Sequence, residues 1–141
     1  MNVRKTILTS EEKRRKIMAI NKLEDAHRLF AEAFNSGDVE SITALYEPEA
    51  TLVPQPGQVV KGVHAIREAL QSFLALKWRI NAETQYVIRA GDTALLRAKW
   101  SLIGTGPDGK SIEMKGNSTE VIRRQPNGNW LFIIDHPFGA D

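Results

Sequence analysis

The sequence predicts an α+β domain in which antiparallel strands wrap around a helix. Three observations predict it. Helical spacing of apolar residues is confined to the part of the chain before residue 75, and four long strand-like runs joined by turn residues fill the rest. The last run holds Trp130-Leu-Phe-Ile-Ile134, five successive large apolar residues that call for burial on both sheet faces. One face then needs a helix and the other a second subunit.

The elements follow in order. Ser10 before Glu11 and Glu12 resembles a helix N-cap, and Leu23, Ala26, Phe30, Ala33 and Phe34 continue at helical spacing until Gly37 closes a long helix. Asp38 caps a short second helix whose face is Val39, Ile42, Leu45 and Tyr46, with Pro48 ending it. Ala50–Val53 reads as a short strand, Pro54–Gly57 as a turn and Val59–Lys61 as the hairpin partner. Gly62 opens a third helix with an apolar stripe of Val63, Ile66, Leu70, Phe73 and Leu74. Strands are expected over Arg79–Arg89, Thr93–Ile103, Ser111–Arg124 and Asn129–His136, joined at Gly91-Asp92, Pro107-Asp108-Gly109 and Pro126-Asn127-Gly128.

At 141 residues and 42% hydrophobic content the chain makes one domain with a core of its own, over 20–141, preceded by a basic extension at 1–19. Having no cysteine, it has no disulfides, thiolate metal sites or cysteine nucleophile. There is no apolar leader and no run of about 20 apolar residues for a membrane span, so a cytoplasmic location is expected. The isoelectric point of about 9.0 is misleading. Residues 1–22 carry seven Lys or Arg against Glu11 and Glu12, a net of +5, so the remainder sums to −3. Lys13-Arg-Arg-Lys16 therefore reads as a solvated helix face, and no nucleic-acid partner is expected.

Phe30-Ala-Glu-Ala-Phe-Asn-Ser-Gly-Asp-Val39, Leu45-Tyr-Glu-Pro-Glu-Ala-Thr-Leu52, Lys61-Gly-Val-His-Ala-Ile-Arg67 and Asn127-Gly-Asn-Trp130 resemble, in order and spacing, the nuclear-transport-factor-2-like superfamily. Within it the chain is most similar to SnoaL-like and ketosteroid-isomerase-like proteins. The resemblance covers about residues 20–139. It implies a cone-shaped, cystatin-like fold: a curved antiparallel sheet around a long N-terminal helix, a pocket between them, and a homodimer formed through the outer sheet face. Chemistry does not follow, because the superfamily includes isomerases, cyclases, epoxide hydrolases, dehydratases and binding proteins. Where the steroid isomerases carry a carboxylate base and a tyrosine donor, this chain has Pro54 and Phe30. The position of their third group, an acid, aligns with Glu120.

Strand parity extends this reading. A regular hairpin pairing Arg123 with Trp130 sets Glu120 opposite Ile133 and Ser118 opposite Asp135, all on one face. Two carboxylates in an apolar cavity repel, raise one pKa and make an acid–base pair. The alternative is that Glu120 meets Arg97 or Lys99 as a structural ion pair. One β-bulge in Ser111–Arg124 exchanges Glu120 for Thr119.

The expected protein is thus a SnoaL-like binder of an unknown small molecule, with Glu120 or Asp135 as base and Tyr46 as donor if it is catalytic. That chemistry is cofactor-free isomerisation, cyclisation or hydration of a carbonyl-bearing or aromatic compound. Ser118 and the aromatics Trp100 and Trp78 line the expected pocket, although the two indoles also suit ordinary core or dimer packing. His136 is a further ligand-binding candidate, opposed by alternation from Asp135; His27 and His64 lie on helices and rank below it. No histidine pattern suggests a metal. Gly104-Thr-Gly-Pro-Asp-Gly109 lacks the ending of a phosphate loop and reads as a hairpin. The other functional class is a non-catalytic binding or dimerisation module.

Overall fold

The computed structural model describes Thr9 and residues 19–141. The expected cap at Ser10, the first turns of its helix and the basic cluster at 13–16 lie outside the described residues.

The first described elements are a 3-10 turn, Leu23–Asp25, and α1, Ala26–Asn35. The helix does not run unbroken from Ser10. Lys22 is extended, and Ile20 forms a β-bridge with Trp130, its carbonyl accepting from the Trp130 amide. α2 spans Val39–Thr43, and the Asp38 side chain accepts from the Glu40 amide as its N-cap. α3 spans Val63–Leu74 behind Gly62, whose φ of 84° is open to glycine without strain. Its amide bonds the Ala50 carbonyl at 2.8 Å, fixing α3 against the sheet.

The strands are β1, Tyr46–Gln55; β2, Gln58–Lys61; β3, Arg79–Ala90; β4, Thr93–Thr105; β5, Ser111–Arg124; and β6, Trp130–His136. They form one sheet in the order β2-β1-β6-β5-β4-β3. The sheet is antiparallel except that β1 runs parallel to β6. β1 is also longer than sequence patterning suggests, because its first half has no alternation and holds Pro48. Tyr46 therefore begins a strand instead of ending a helix, and its side chain is buried beside the inner face.

Register breaks within the β1–β2, β1–β6, β3–β4 and β5–β6 pairings bend the strands and give the sheet its curvature. The concave face holds the core. Its fully buried members include Phe132, Ile122, Leu96, Ile42, Leu45 and Ile66, contributed by sheet and helices alike. α1 lies over the sheet with Leu29, Ala33 and Phe34 inward. Burial of each such Leu or Phe contributes about 2 kcal/mol, which makes this the main source of stability.

The β5–β6 register departs from the expected one. Arg124 pairs with Trp130 and Ile122 with Phe132, but Val121 then pairs with Ile134, leaving Ile133 unmatched. The bulge is in β6, not in β5. It reverses alternation along β6: Trp130 and Phe132 are inward, Ile134 turns outward at 43% exposure, and Asp135 is inward again. Within one chain the outer side of this strand is consequently not buried.

Candidate functional site

Cross-strand pairing stacks the concave face in rows. Leu52, Asp135, Glu120 and Leu96 form one row across β1, β6, β5 and β4. The next holds Ser118, Ala98 and Thr84, and the one beyond it Gly116, Trp100 and Ala82. α1 crosses above them. A cavity of about 100 Å³ remains between helix and sheet, with His27, Phe30, Phe34, Leu70 and Phe73 on the helical side. The sheet contributes Ser118, Glu120, Asp135, Trp100, Phe132 and Met114. Pro54 and Phe30, the two apolar residues that replace the isomerase base and donor, both border it.

The polar end consists of two hydrogen-bonded pairs. Glu120 Oε1 is bonded to His27 Nε2, and His27 Nδ1 lies 2.7 Å from Thr84 Oγ1. The Tyr46 hydroxyl donates to Asp135 Oδ2. All four ionisable residues are buried, with His27 at 5%, Glu120 at 3%, Asp135 at 7% and Tyr46 at 3% exposure. Burial, reinforced by the negative charge of Glu120, raises the Asp135 carboxyl to about 7. The Tyr46 hydrogen bond and the nearby His27 act in the opposite direction. Burial also pushes the Tyr46 phenol well above its usual range, helped by Asp135 beside it. The arrangement therefore keeps a carboxylic acid within reach of a carboxylate near neutral pH, which is what proton transfer requires.

Tyr46 itself does not border the cavity. Its ring sits behind the wall, with centroids 5.7 Å from Phe132 and 6.4 Å from Phe30, so its hydroxyl reaches the cavity only through Asp135.

One wall is closed by the segment after β6. Pro137 and Phe138 border the cavity, the Trp100 indole Nε1 donates to the Pro137 carbonyl, and Phe138 meets Trp100 edge-on at 5.2 Å. Asp141 holds the segment down by accepting from the Asn117 amide at 2.7 Å, while the Ala140 amide donates to the Asn117 carbonyl. Gly116 makes room for the indole. A Cβ there would lie 2.5 Å from the Trp100 ring.

The structure thus brings Glu120, Asp135, Ser118 and Trp100 together around one cavity, with Tyr46 behind them. Ser118 is a structural tie as well, its Oγ accepting from the Ala98 amide at 3.2 Å. Trp78 and His136 lie elsewhere. Trp78 precedes β3 and packs its ring over Gly104, away from the cavity lining. His136 pairs with Thr119, which alternation sends to the outer face, and its ring lies under Gly139.

The anticipated ion pair of Glu120 with Arg97 or Lys99 does not form, since Leu96 is the inward neighbour of Glu120 and both basic side chains take the opposite face. The partner is His27. Its signal was present in the sequence: it stands three and seven residues before Phe30 and Phe34, on the same helical face. Thr84 had no such signal, because its inward position follows from the β3–β4 register. Among the described residues, no cluster of three or more His, Cys, Asp or Glu is disposed to hold a metal ion. Among them, too, no helix is long and apolar enough to cross a membrane.

Comparison with known proteins agrees with this architecture. Residues 26–131 match the SnoaL-like domain family. A candidate dehydratase of the NTF2-like family from Streptomyces avermitilis is similar at 24% identity and a TM-score of 0.65, over 79% of this chain and 90% of that one. A ketosteroid isomerase-like protein from Erwinia carotovora atroseptica gives 18% identity and a TM-score of 0.66, over 82% and 95%. The epoxide hydrolase/cyclase-like enzyme SalBIII, with a role in pyran ring formation in the polyether salinomycin, gives 21% and 0.59, over 92% of both chains. At such identities the likeness is one of fold. No curated protein matches the chain.

Proposed function

The chain belongs to the SnoaL-like domain family, and we propose that it carries out cofactor-free proton transfer on a small carbonyl-bearing or aromatic molecule held between α1 and the sheet. The observation that carries this reading is the pairing of Asp135, raised to about 7, with Glu120 directly across the strand pair. In this reading Glu120 removes a proton from carbon next to a carbonyl. Asp135 gives its own proton to the carbonyl oxygen, so the product is an enol and the two carboxyl groups have exchanged protonation states. Return of the protons to different atoms gives isomerisation; loss or addition of water at the same centre gives dehydration or hydration.

His27 and Tyr46 act through the carboxyl groups as positioning residues. Tyr46 occupies Asp135 Oδ2, which leaves Oδ1 to hold the transferable proton. His27 keeps Glu120 aimed at the cavity and is itself fixed by Thr84. Exchange of the α-protons of cyclohexanone in heavy water, followed by proton NMR, tests the assignment. Wild-type protein is expected to accelerate exchange, and E120Q/D135N to lose at least about 100-fold of that acceleration. Equal exchange by the double variant contradicts it.

The protein is further proposed to be a homodimer joined through the outer sheet face. Ile88, Leu95, Val121 and Ile134 are successive cross-strand partners there, a continuous apolar row across β3, β4, β5 and β6. Ile88 is 57% exposed within the single chain, which supports cover by a partner.

A further inference from the structure

From the make-up of its walls, we infer that the cavity selects an uncharged compound of about one ring, ending in a hydrogen-bond acceptor such as a ketone, epoxide or ether oxygen, and discriminates against carboxylates and phosphates of the same size. This rests on the reading of the cavity as the ligand site and adds the ligand's charge, size and polar end.

Charge comes first. Among the described residues, no Lys or Arg borders the cavity. Parity explains why: Arg97 and Lys99 alternate with Ala98 and Trp100, so β4 sends its bases to the outer face and its apolar residues inward. Among the described residues, the only bordering side chain able to carry positive charge is His27, and both of its nitrogens are engaged, by Glu120 and Thr84. An anionic ligand would thus bring a negative charge beside two carboxyl groups with no free cation among the described lining residues to meet it, in a setting of low dielectric where repulsion is strong. A cationic amine is disfavoured on a different ground. Glu120 already has its partner, and Asp135, raised to about 7, is only partly ionised near neutrality.

Size and polarity follow. A cavity of about 100 Å³ is smaller than the roughly 150 Å³ that holds benzene in an apolar protein interior, so one ring fills it with modest adjustment of the walls. A fused-ring compound would have to displace Phe138, which bounds the far wall edge-on to Trp100. The rest of the lining is mostly apolar and rich in aromatic rings, those of Phe30, Phe34, Phe73, Trp100, Phe132 and Phe138. The Tyr46 hydroxyl is spent on Oδ2 and the Ser118 hydroxyl is directed at the Ala98 carbonyl, which leaves the Asp135 proton for a ligand. The ligand's matching group is therefore an acceptor.

Binding of three compounds of one shape decides the matter: cyclohexanone, cyclohexanecarboxylate and cyclohexylamine, each titrated near neutral pH against the full chain and followed by the indole proton of Trp100 in NMR. Cyclohexanone is expected to saturate with a Kd about tenfold or more below those of the other two, and 2-decalone to bind more weakly than cyclohexanone. In E120Q the gap between ketone and carboxylate is expected to narrow about threefold or more, because one negative charge has gone. Tighter binding of the carboxylate or the amine, stronger binding of 2-decalone, or no saturation by cyclohexanone overturns the inference. Failure of the catalytic reading is separate: ketone-selective binding without α-proton exchange contradicts proton transfer alone, whereas exchange with preference for the anion contradicts the selectivity alone.

Discussion

Glu120 and Asp135 are direct cross-strand partners, and both face the cavity because Ile133 bulges out of β6. Without that one unmatched residue, alternation from Trp130 and Phe132 would send Ile134 inward and Asp135 to the outer face. A single register break therefore creates the buried acid pair.

The pair imposes a pH dependence on stability. Asp135 titrates at about 7 in the folded chain against an ordinary value of 3.8, so between those limits the folded state keeps a proton that the unfolded state releases. Stability due to this group is full below about pH 4, falls as pH rises towards 7 and is level above it. The steepest slope is about 1.4 kcal/mol per pH unit. Urea unfolding of wild type and D135N from pH 4 to 8 measures it: the difference between the two should shrink steadily with pH, and a constant difference would refute the assignment. Subtracting D135N also removes the contribution of Glu47, whose bond to Arg123 lowers its pKa and stabilises in the opposite direction.

The His27–Glu120 pair should be strongly coupled. Replacing His27 by Ala leaves a buried carboxylate without its donor, and a loss of about 3 kcal/mol or more is expected. H27L/E120L replaces both partners by apolar groups of suitable size and should recover most of that loss. Additive effects of the two sites in chemical unfolding would mean that the pair is not an energetic unit.

G116A tests the closing wall. The added Cβ meets the Trp100 ring, which the Pro137 carbonyl and Phe138 hold in place. A loss of about 1–3 kcal/mol is expected, together with a change in tryptophan fluorescence as the indole shifts. Unaltered fluorescence and melting temperature would show that the wall yields freely.

Charge placed on the outer row should separate the proposed dimer. Light scattering is expected to give a dimer mass for wild type and a monomer mass for I88D/I134D, with helix and strand content unchanged by circular dichroism. The same mass for both proteins would place the subunit contact elsewhere or remove it.

The fold was largely legible in the sequence because its periodicities are clean: α3 and β5 fall where the apolar spacing and the Gly, Asn and Pro turns put them. β1 was not, since Tyr46–Ala50 has neither alternation nor a turn signal and pairs in parallel with a strand from the other end of the chain. Parity brought Glu120, Ser118 and Asp135 to one face through a register that differs from the observed one; the bulge at Ile133 compensates. His27 went unrecognised because a histidine in an apolar stripe has the same sequence signature whether it fills space or bonds a carboxylate. Trp78 and His136 were drawn towards the site by residue type; the direction of Trp78 depends on a loop, whereas alternation from Asp135 already sent His136 to the opposite face.

The most direct test of the central claim is a carboxyl titration by NMR with carbon-13-labelled aspartate, with Asp135 assigned by its absence in D135N. A midpoint near 7, moving downward in E120Q as the neighbouring charge is removed, is the expected result. A midpoint in the ordinary aspartate range, unchanged in E120Q, would mean that no proton is held between these two residues near neutral pH.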